Sequence, residues 1–200
     1  MRGIWFAGQT RSAVLEIRAL DLDGVLEIRP KQFADDRGFF SEVWNREQWR
    51  QAGIDIDFVQ DNHSYSNERG VVRGLHYQAL PMAQAKLVRV TRGAVFDVAV
   101  DIRQGSPTFG IWVSAILSAE RWNQLLVPAG FAHGFLTLEE NCEVQYKVSS
   151  PFSAEHDRAI RFDDPEIGID WPIAVAELFL SDKDRTAPLL ADVDTGFRFS

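Results

Sequence analysis

Two hundred residues, 46% of them hydrophobic and including fourteen Phe and six Trp, suffice to close one core of ordinary domain size. Twenty-nine Asp and Glu against twenty-one Lys and Arg give a formal net charge of −8, which disfavours nucleic acid as a partner, because clustered positive charge supplies most of that affinity. The one cysteine, Cys142, excludes an intramolecular disulfide and a thiolate cluster, and no apolar run approaches the roughly 18–20 residues of a membrane-spanning helix.

The first segment, MRGIWFAGQTRSA, has too short an apolar stretch before Gly8 for a secretory leader, so a cytoplasmic protein is the expectation. Residues 1–21 carry no further reading, and with no repeat, low-complexity tract or linker the whole of 1–200 is expected to be one domain. GVLEIRP (24–30) alternates apolar and polar residues and predicts a half-buried strand. NREQWRQAG (45–53) predicts a helix stopped at Gly53. AKLVRVTRGAVFDVAVDIR (85–103) predicts two strands broken at Arg92-Gly93, and GIWVSAILS (110–118), NQLLVPAGFAHGFLTL (123–138) and CEVQYKVSS (142–150) continue the series. A second helix is expected over IAVAELF (173–179). Many strands joined by short turns predict an all-β sandwich or barrel with a ligand in its mouth. No phosphate-binding glycine loop, GxSxG or HExxH is present, which argues against nucleotide hydrolases, serine hydrolases and zincins.

Of four histidines, His156 reads as a solvated loop residue and His63 as structural. His76 in RGLHYQ and His133 in PAGFAHGF each sit beside a glycine in an apolar strand. Either alone suits a buried imidazole held by a backbone partner. Together with Arg73, Lys86, Glu143, Tyr146 and Lys147, also in or beside strands, they suggest a charged interior, which is costly unless paired or used. Cupin barrels hold metals through His-x-His, a following Glu and a later His. Here Gln78 stands where the second histidine belongs and Lys86 near the acidic position, a poor ligand set for zinc or iron. An acid–base site suits these side chains better. Imidazole serves as base, a phenol as proton donor on the opposite face, and an ammonium stabilises a developing enolate oxygen. That set removes and returns a proton beside a carbonyl, with neither metal nor cofactor expected.

FADDRGFFSEVW (33–44), FVQDNHSYSNERGVVRGLHYQ (58–78), AKLVRV (85–90), DVAVDIRQGSPTFGIW (97–112), VPAGFAHGF (127–135), EVQYK (143–147) and SDKD (181–184) resemble, in order, the segments of the dTDP-4-dehydrorhamnose 3,5-epimerases. The resemblance, over roughly residues 22–186, implies a cupin-type β-jelly-roll barrel with a few short helices, acting as a homodimer on a thymidine-diphosphate 4-keto-6-deoxyhexose. It implies His76 as base, Asp184 orienting it, Tyr146 as proton donor and Lys86 facing the C4 oxygen. It also implies substrate contacts from Arg37, Glu42, Gln60, Asn62, Arg73, His133 and Lys183, part of the pocket coming from the neighbouring subunit. Two positions depart from the usual pattern: Phe152 replaces a tyrosine that stacks on thymine, and Asp157 replaces a glutamate. Phe keeps the stacking face, whereas the shorter Asp puts one ribose or base contact in question. A single-centre epimerase and a 3,4-ketoisomerase share this chemistry and stand as alternatives. A metal-dependent oxygenase and a non-catalytic sugar-nucleotide-binding module are the readings from other classes.

Overall fold

The computed structural model describes residues 15–199 and the backbone of residues 6–7, so that of the 1–21 extension residues 1–5 and 8–14 lie outside the described residues. In chain order the strands begin with β1 (Phe6–Ala7), β2 (Leu15–Ala19), β3 (Leu26–Pro30), β4 (Phe33–Asp35) and β5 (Gly38–Phe40), followed by helix α1 (Arg46–Gln51). Then come β6 (Gln60–Ser66), β7 (Val72–Gln78), β8 (Lys86–Arg92), β9 (Ala94–Asp101), β10 (Trp112–Ser118) and β11 (Gln124–Val127). β12 (Phe131–Thr137), β13 (Cys142–Val148), β14 (Asp157–Ala159) and helix α2 (Asp182–Arg185) complete the elements.

One sheet runs β1-β2-β3-β11-β8-β13-β6 and a second β10-β9-β12-β7-β14, with β4 and β5 forming a separate hairpin. Within the sheets the named strand pairs are antiparallel. The sheets close face to face on Val88, Val90, Leu125 and Val144 from the first and Val95, Ala99, Leu117, Phe131 and Phe135 from the second. The strand pattern predicts a sandwich or barrel, and the arrangement is the jelly-roll barrel that the family resemblance implies. Alternation decides which side chains go inside: on β8, Val88 and Val90 fill the core, while Leu87 faces out and packs under Trp49 of α1 and Ile54. The outer face of the second sheet is covered by the C-terminal chain, through Ile160, Ile167, Leu190 and Phe197.

The helix at 45–53 forms as expected, with Asn45 capping the amide of Gln48 and the helix ending before Gly53. The break between β8 and β9 falls at Gly93, where φ is +78° and an added Cβ would stand 2.6 Å from Cys142 Sγ. Cys142 is accordingly a buried structural thiol. The helix expected over 173–179 does not form: only Val175–Glu177 make a single 3-10 turn without a side-chain cap. The chain leaves that turn extended, bridges Val71 through Phe179 and lays Leu178 and Leu180 on the apolar surface around Val72. Two-residue spacing of apolar side chains is strand chemistry, and here it overrides helical propensity.

The SPTFG segment is tied to one buried carboxylate. Asp101 accepts from Ser106 Oγ at 2.6 Å, Thr108 Oγ1 at 2.7 Å and the Arg103 guanidinium at 2.9 and 2.8 Å. Arg103 lies between the rings of Phe131 and Phe199. Burial pushes the Asp101 carboxyl up, but these donors outweigh it and bring it down to about 2. Its folded value lies below the unfolded one, so its stabilisation is complete above about 4 and is lost as pH falls toward 2. Asp101→Asn is expected to remove about 2 kcal/mol at pH 7 and to flatten the acid side of the stability curve. Urea denaturation of both proteins at pH 7 and pH 3 checks it, since the gap between them should narrow at the lower pH.

Candidate active site

A cavity of about 530 Å³ opens between the sheets and is walled by β6, β7, β8, β12, β13 and the segments that carry β14 and α2. β7 supplies its centre. Regular alternation would send Arg73 and His76, three residues apart, to opposite faces. Instead the register against β12 slips between His133↔His76 and Phe135↔Arg73, so β7 carries one extra residue, a bulge at Gly74-Leu75. The bulge restores parity, and both Arg73 and His76 line the cavity. Gly74 makes this possible: its φ is +135°, and an added Cβ would lie 2.5 Å from Gly134 Cα and 2.9 Å from the His133 carbonyl oxygen. Gly74→Ala is expected to cost about 3 kcal/mol of stability, because backbone cannot yield as a side chain does. It should also lower activity in the remaining folded protein, since it pries apart the strands that hold His76 and His133; denaturation midpoints and turnover on the same sample test both.

His76 Nε2 lies 2.5 Å from Asp184 Oδ1. A carboxylate only accepts, so this contact puts the imidazole proton on Nε2 and leaves the Nδ1 lone pair as the basic site. Asp184 is itself fixed by a Ser-x-x-Asp cap at the start of α2. Its amide donates to Ser181 Oγ at 3.1 Å, and Ser181 Oγ donates to Asp184 Oδ2 at 2.8 Å. Burial alone would raise Asp184, but the bonds from His76 and Ser181 and the Lys183 charge hold it below the ordinary carboxylate range. The carboxylate therefore remains charged beside the imidazole.

Lys86 is buried on the inward face of β8, and its Nζ donates to the His76 carbonyl at 3.2 Å. Burial lowers this ammonium to about 8, against the upward pull of Asp157 and Asp97. Tyr146, inward on β13, packs on the inter-sheet core. Burial pushes its phenol above the usual range although Arg73 pulls it down, so it keeps its proton at neutral pH. His133, the direct cross-strand neighbour of His76, donates Nε2–H to Asp97 Oδ1 at 2.8 Å.

The outer part of the cavity is a platform held by amide side chains. Gln60 bonds Asn62 at 2.8 Å and accepts the Phe152 amide at 2.9 Å. Gln78 donates to the carbonyls of Met82 and Pro151 at 2.7 and 3.1 Å and accepts the Ser153 amide at 2.7 Å. Gln78, at the position of an absent metal ligand, is thus a brace for the 150–153 loop. The Phe152 ring stands 60% exposed at the rim, and Lys183 pairs with Asp157 on the opposite wall.

Most residues named from the sequence meet at this cavity: His76, Lys86, Tyr146, Asp184, Gln60, Asn62, Arg73, His133, Phe152, Asp157 and Lys183. Arg37 and Glu42 do not. Arg37 pairs with Asp35 in the exposed β4–β5 hairpin, and Glu42 accepts from Gln48 beside α1 at 2.9 Å. Glu143 and Lys147 also differ from expectation: the alternation of β13 turns both outward, Glu143 to His63 at 3.2 Å and Lys147 to Asp61 at 2.8 Å. His156 is not simply solvated, because its Nδ1 meets Ser153 Oγ at 2.8 Å. Sequence reasoning missed Ser64, Phe135, Phe179 and Asp97. The signal for Asp97 was a lone acid inside the apolar run AVFDVAV. Among the described residues no group of three or more His, Cys, Asp or Glu side chains is placed to hold a metal ion.

The fold places the chain among the cupin-type jelly rolls. The sequence model of the dTDP-4-dehydrorhamnose 3,5-epimerases matches residues 19–192. The chain is 51% identical over 192 residues to the enzyme of that name from Sinorhizobium fredii, covering 96% of this chain and 98% of that one. It is 53% identical over 176 residues to the one from Pseudomonas aeruginosa, covering 88% and 96%. The crystal structure of the Legionella pneumophila dTDP-6-deoxy-D-glucose-3,5-epimerase in complex with dTDP-4-keto-L-rhamnose superposes with a TM-score of 0.88 at 44% identity, covering 93% of this chain and 99% of that one. The chain belongs to the dTDP-4-dehydrorhamnose 3,5-epimerase family.

Proposed function

We propose that the protein is an isomerase that inverts C3 and C5 of dTDP-4-dehydro-6-deoxy-D-glucose, giving dTDP-4-dehydro-L-rhamnose for rhamnose biosynthesis. The observation that carries this reading is the His76–Asp184 pair beside buried Lys86 and Tyr146 in a chain of this family. His76 Nδ1 takes the proton from the carbon next to the C4 carbonyl. The electron pair of that C–H bond moves into the C4–oxygen system as an enolate, which Lys86 stabilises. Tyr146 then gives its proton to the opposite face of the carbon, and both side chains are reset by proton exchange with solvent. Arg73 and Lys183 face the diphosphate, Gln60, Asn62 and Phe152 the nucleoside, and Asp157 the ribose side through its pair with Lys183. Neither metal nor cofactor enters these steps.

The test is proton NMR of the substrate with the purified protein in D₂O. Deuterium at both C3 and C5 is expected. Deuterium at one carbon would move the protein to the single-centre epimerases, a carbonyl shifted to C3 to the ketoisomerases, and no exchange would overturn the reading.

The proposed enzyme works as a homodimer in the cytoplasm, without nucleic acid or membrane. No helix among the described residues is long and apolar enough to cross a membrane. The β4–β5 hairpin holds Arg37 away from its own cavity and leaves Phe33, Phe39 and Phe40 exposed. Arg37 then serves the neighbour's site. Mixing the inactive variants Arg37→Ala and His76→Ala should restore activity by joining an intact Arg37 from one subunit with an intact His76 from the other. A mixture as inactive as its components would sink the shared site.

A further inference from the structure

The two ends of the cavity differ in chemistry. Toward the loop that carries Phe152 the wall is made of amides, Gln60, Gln78 and Gln84, the last donating to the Ser150 carbonyl at 2.7 Å. Toward the start of β7 the wall is apolar and is formed by Val72, Phe135 and Phe179. Phe135 lies opposite Arg73 across the β7–β12 pair. Phe179 reaches the same end from the C-terminal chain. Its amide donates to the Gly70 carbonyl at 2.9 Å, and its carbonyl accepts from the Val72 amide at 3.0 Å.

Main-chain bonds therefore fix position 179, whatever its side chain. Alternation lays Leu178 and Leu180 on the cluster around Val72 and Phe162, and the Phe179 ring takes the other side, where it lines the cavity and stays 53% exposed. A phenylalanine left half in water at a cavity wall gains when something apolar covers it. The proposed substrate carries one such group. Its ring bears oxygen at C1, C2, C3 and C4, and a methyl, C6, at C5. With C4 at Lys86 and the diphosphate toward Arg73 and Lys183, C3 and C5 lie on opposite flanks of the ring. One flank presents a hydroxyl and the other the methyl. The amide end matches the hydroxyl, and the apolar end matches the methyl.

We infer that Phe179, with Phe135 and Val72 behind it, forms the subsite for the C6 methyl and selects 6-deoxy over 6-hydroxy sugar nucleotides. This rests on the epimerase reading, which supplies the direction of the sugar. A hydroxyl on C6 would be pressed against the rings without a hydrogen-bond partner, and burying it so is unfavourable. Phe179 takes no part in proton transfer; it sorts substrates.

The test uses two sugar nucleotides that differ by one oxygen and have no carbonyl to react, dTDP-6-deoxyglucose and dTDP-glucose, titrated calorimetrically beside dTDP. The wild type should bind the 6-deoxy compound about tenfold more tightly, the scale on which an apolar pocket rejects a hydroxyl. Phe179→Ala keeps both main-chain bonds and opens the subsite to water, so the two affinities should come within about twofold of each other, and Phe179→Leu should retain most of the preference. Affinity for dTDP, which is anchored at the amide end, should move less than about twofold in either variant. Equal affinities in the wild type would overturn the inference, as would an undiminished ratio in Phe179→Ala. A loss of dTDP affinity as large as the loss for the 6-deoxy compound would also overturn it, because the substitution would then act on the whole site. A clear methyl preference in a protein that exchanges neither the C3 nor the C5 proton would count against the proposed chemistry and uphold the subsite.

Discussion

Replacing His76 with alanine is expected to reduce turnover by about 10²- to 10⁴-fold while dTDP binding stays within a few-fold of wild type. The imidazole takes the proton on the proposed route, and its neighbours cannot take over. Lys86 is held as an ammonium whose value, about 8, keeps it largely protonated at neutral pH, and Tyr146 is pushed above its usual range. His133 is turned to Asp97 and sits one strand away. The nucleotide meets other residues, the Phe152 rim and the Gln60–Asn62 pair, so its affinity should survive. Solvent exchange of the C3 and C5 protons, followed beside dTDP titration calorimetry, separates the two effects. Wild-type exchange in the variant would remove His76 as the base.

Tyr146→Phe should split the reaction into its halves. Loss of the α-proton to solvent needs only the base and the enolate-stabilising charge, whereas inversion needs a donor on the far face. Net epimerisation is therefore expected to fall by about 10²-fold or more, with deuterium wash-in at the same carbons falling far less. The ring's place in the inter-sheet core is kept by phenylalanine, so stability should change little. Equal losses in wash-in and inversion would assign Tyr146 another role.

The sequence disclosed the fold where one face of a strand is apolar. Alternation in residues 24–30 and the apolar runs at 85–103 and 110–118 correspond to β3, β8, β9 and β10. β6 escaped that logic because QDNHSYS is polar on both faces: Gln60, Asn62 and Ser64 line the cavity while Asp61 and His63 pair with Lys147 and Glu143 outside. The bulge in β7 was equally hidden. Period-two reasoning places Arg73 and His76 on opposite sides, and it was the resemblance to a family that put them in one site. The glycine beside His76 is visible in the sequence, but the approach of Gly134 that requires it is not. The pairing of His76 with Asp184 spans 108 residues and cannot be read from local pattern, although Ser-x-x-Asp at 181–184 has the spacing of a helix cap. Arg37 and Glu42 came from resemblance alone, and they lie outside this chain's own cavity.

The loop that carries Phe152 is held by its main chain, with the amides of residues 152 and 153 caught by Gln60 and Gln78, and not by the packing of its own ring. That separation leaves the rim open to evolutionary drift. The side chain at 152 can change while the loop stays in place, so a lineage can lose a phenolic hydroxyl here without first rebuilding the scaffold. The same freedom makes position 152 an entry point for laboratory selection toward other nucleotide bases, with the two glutamines as the residues to leave untouched.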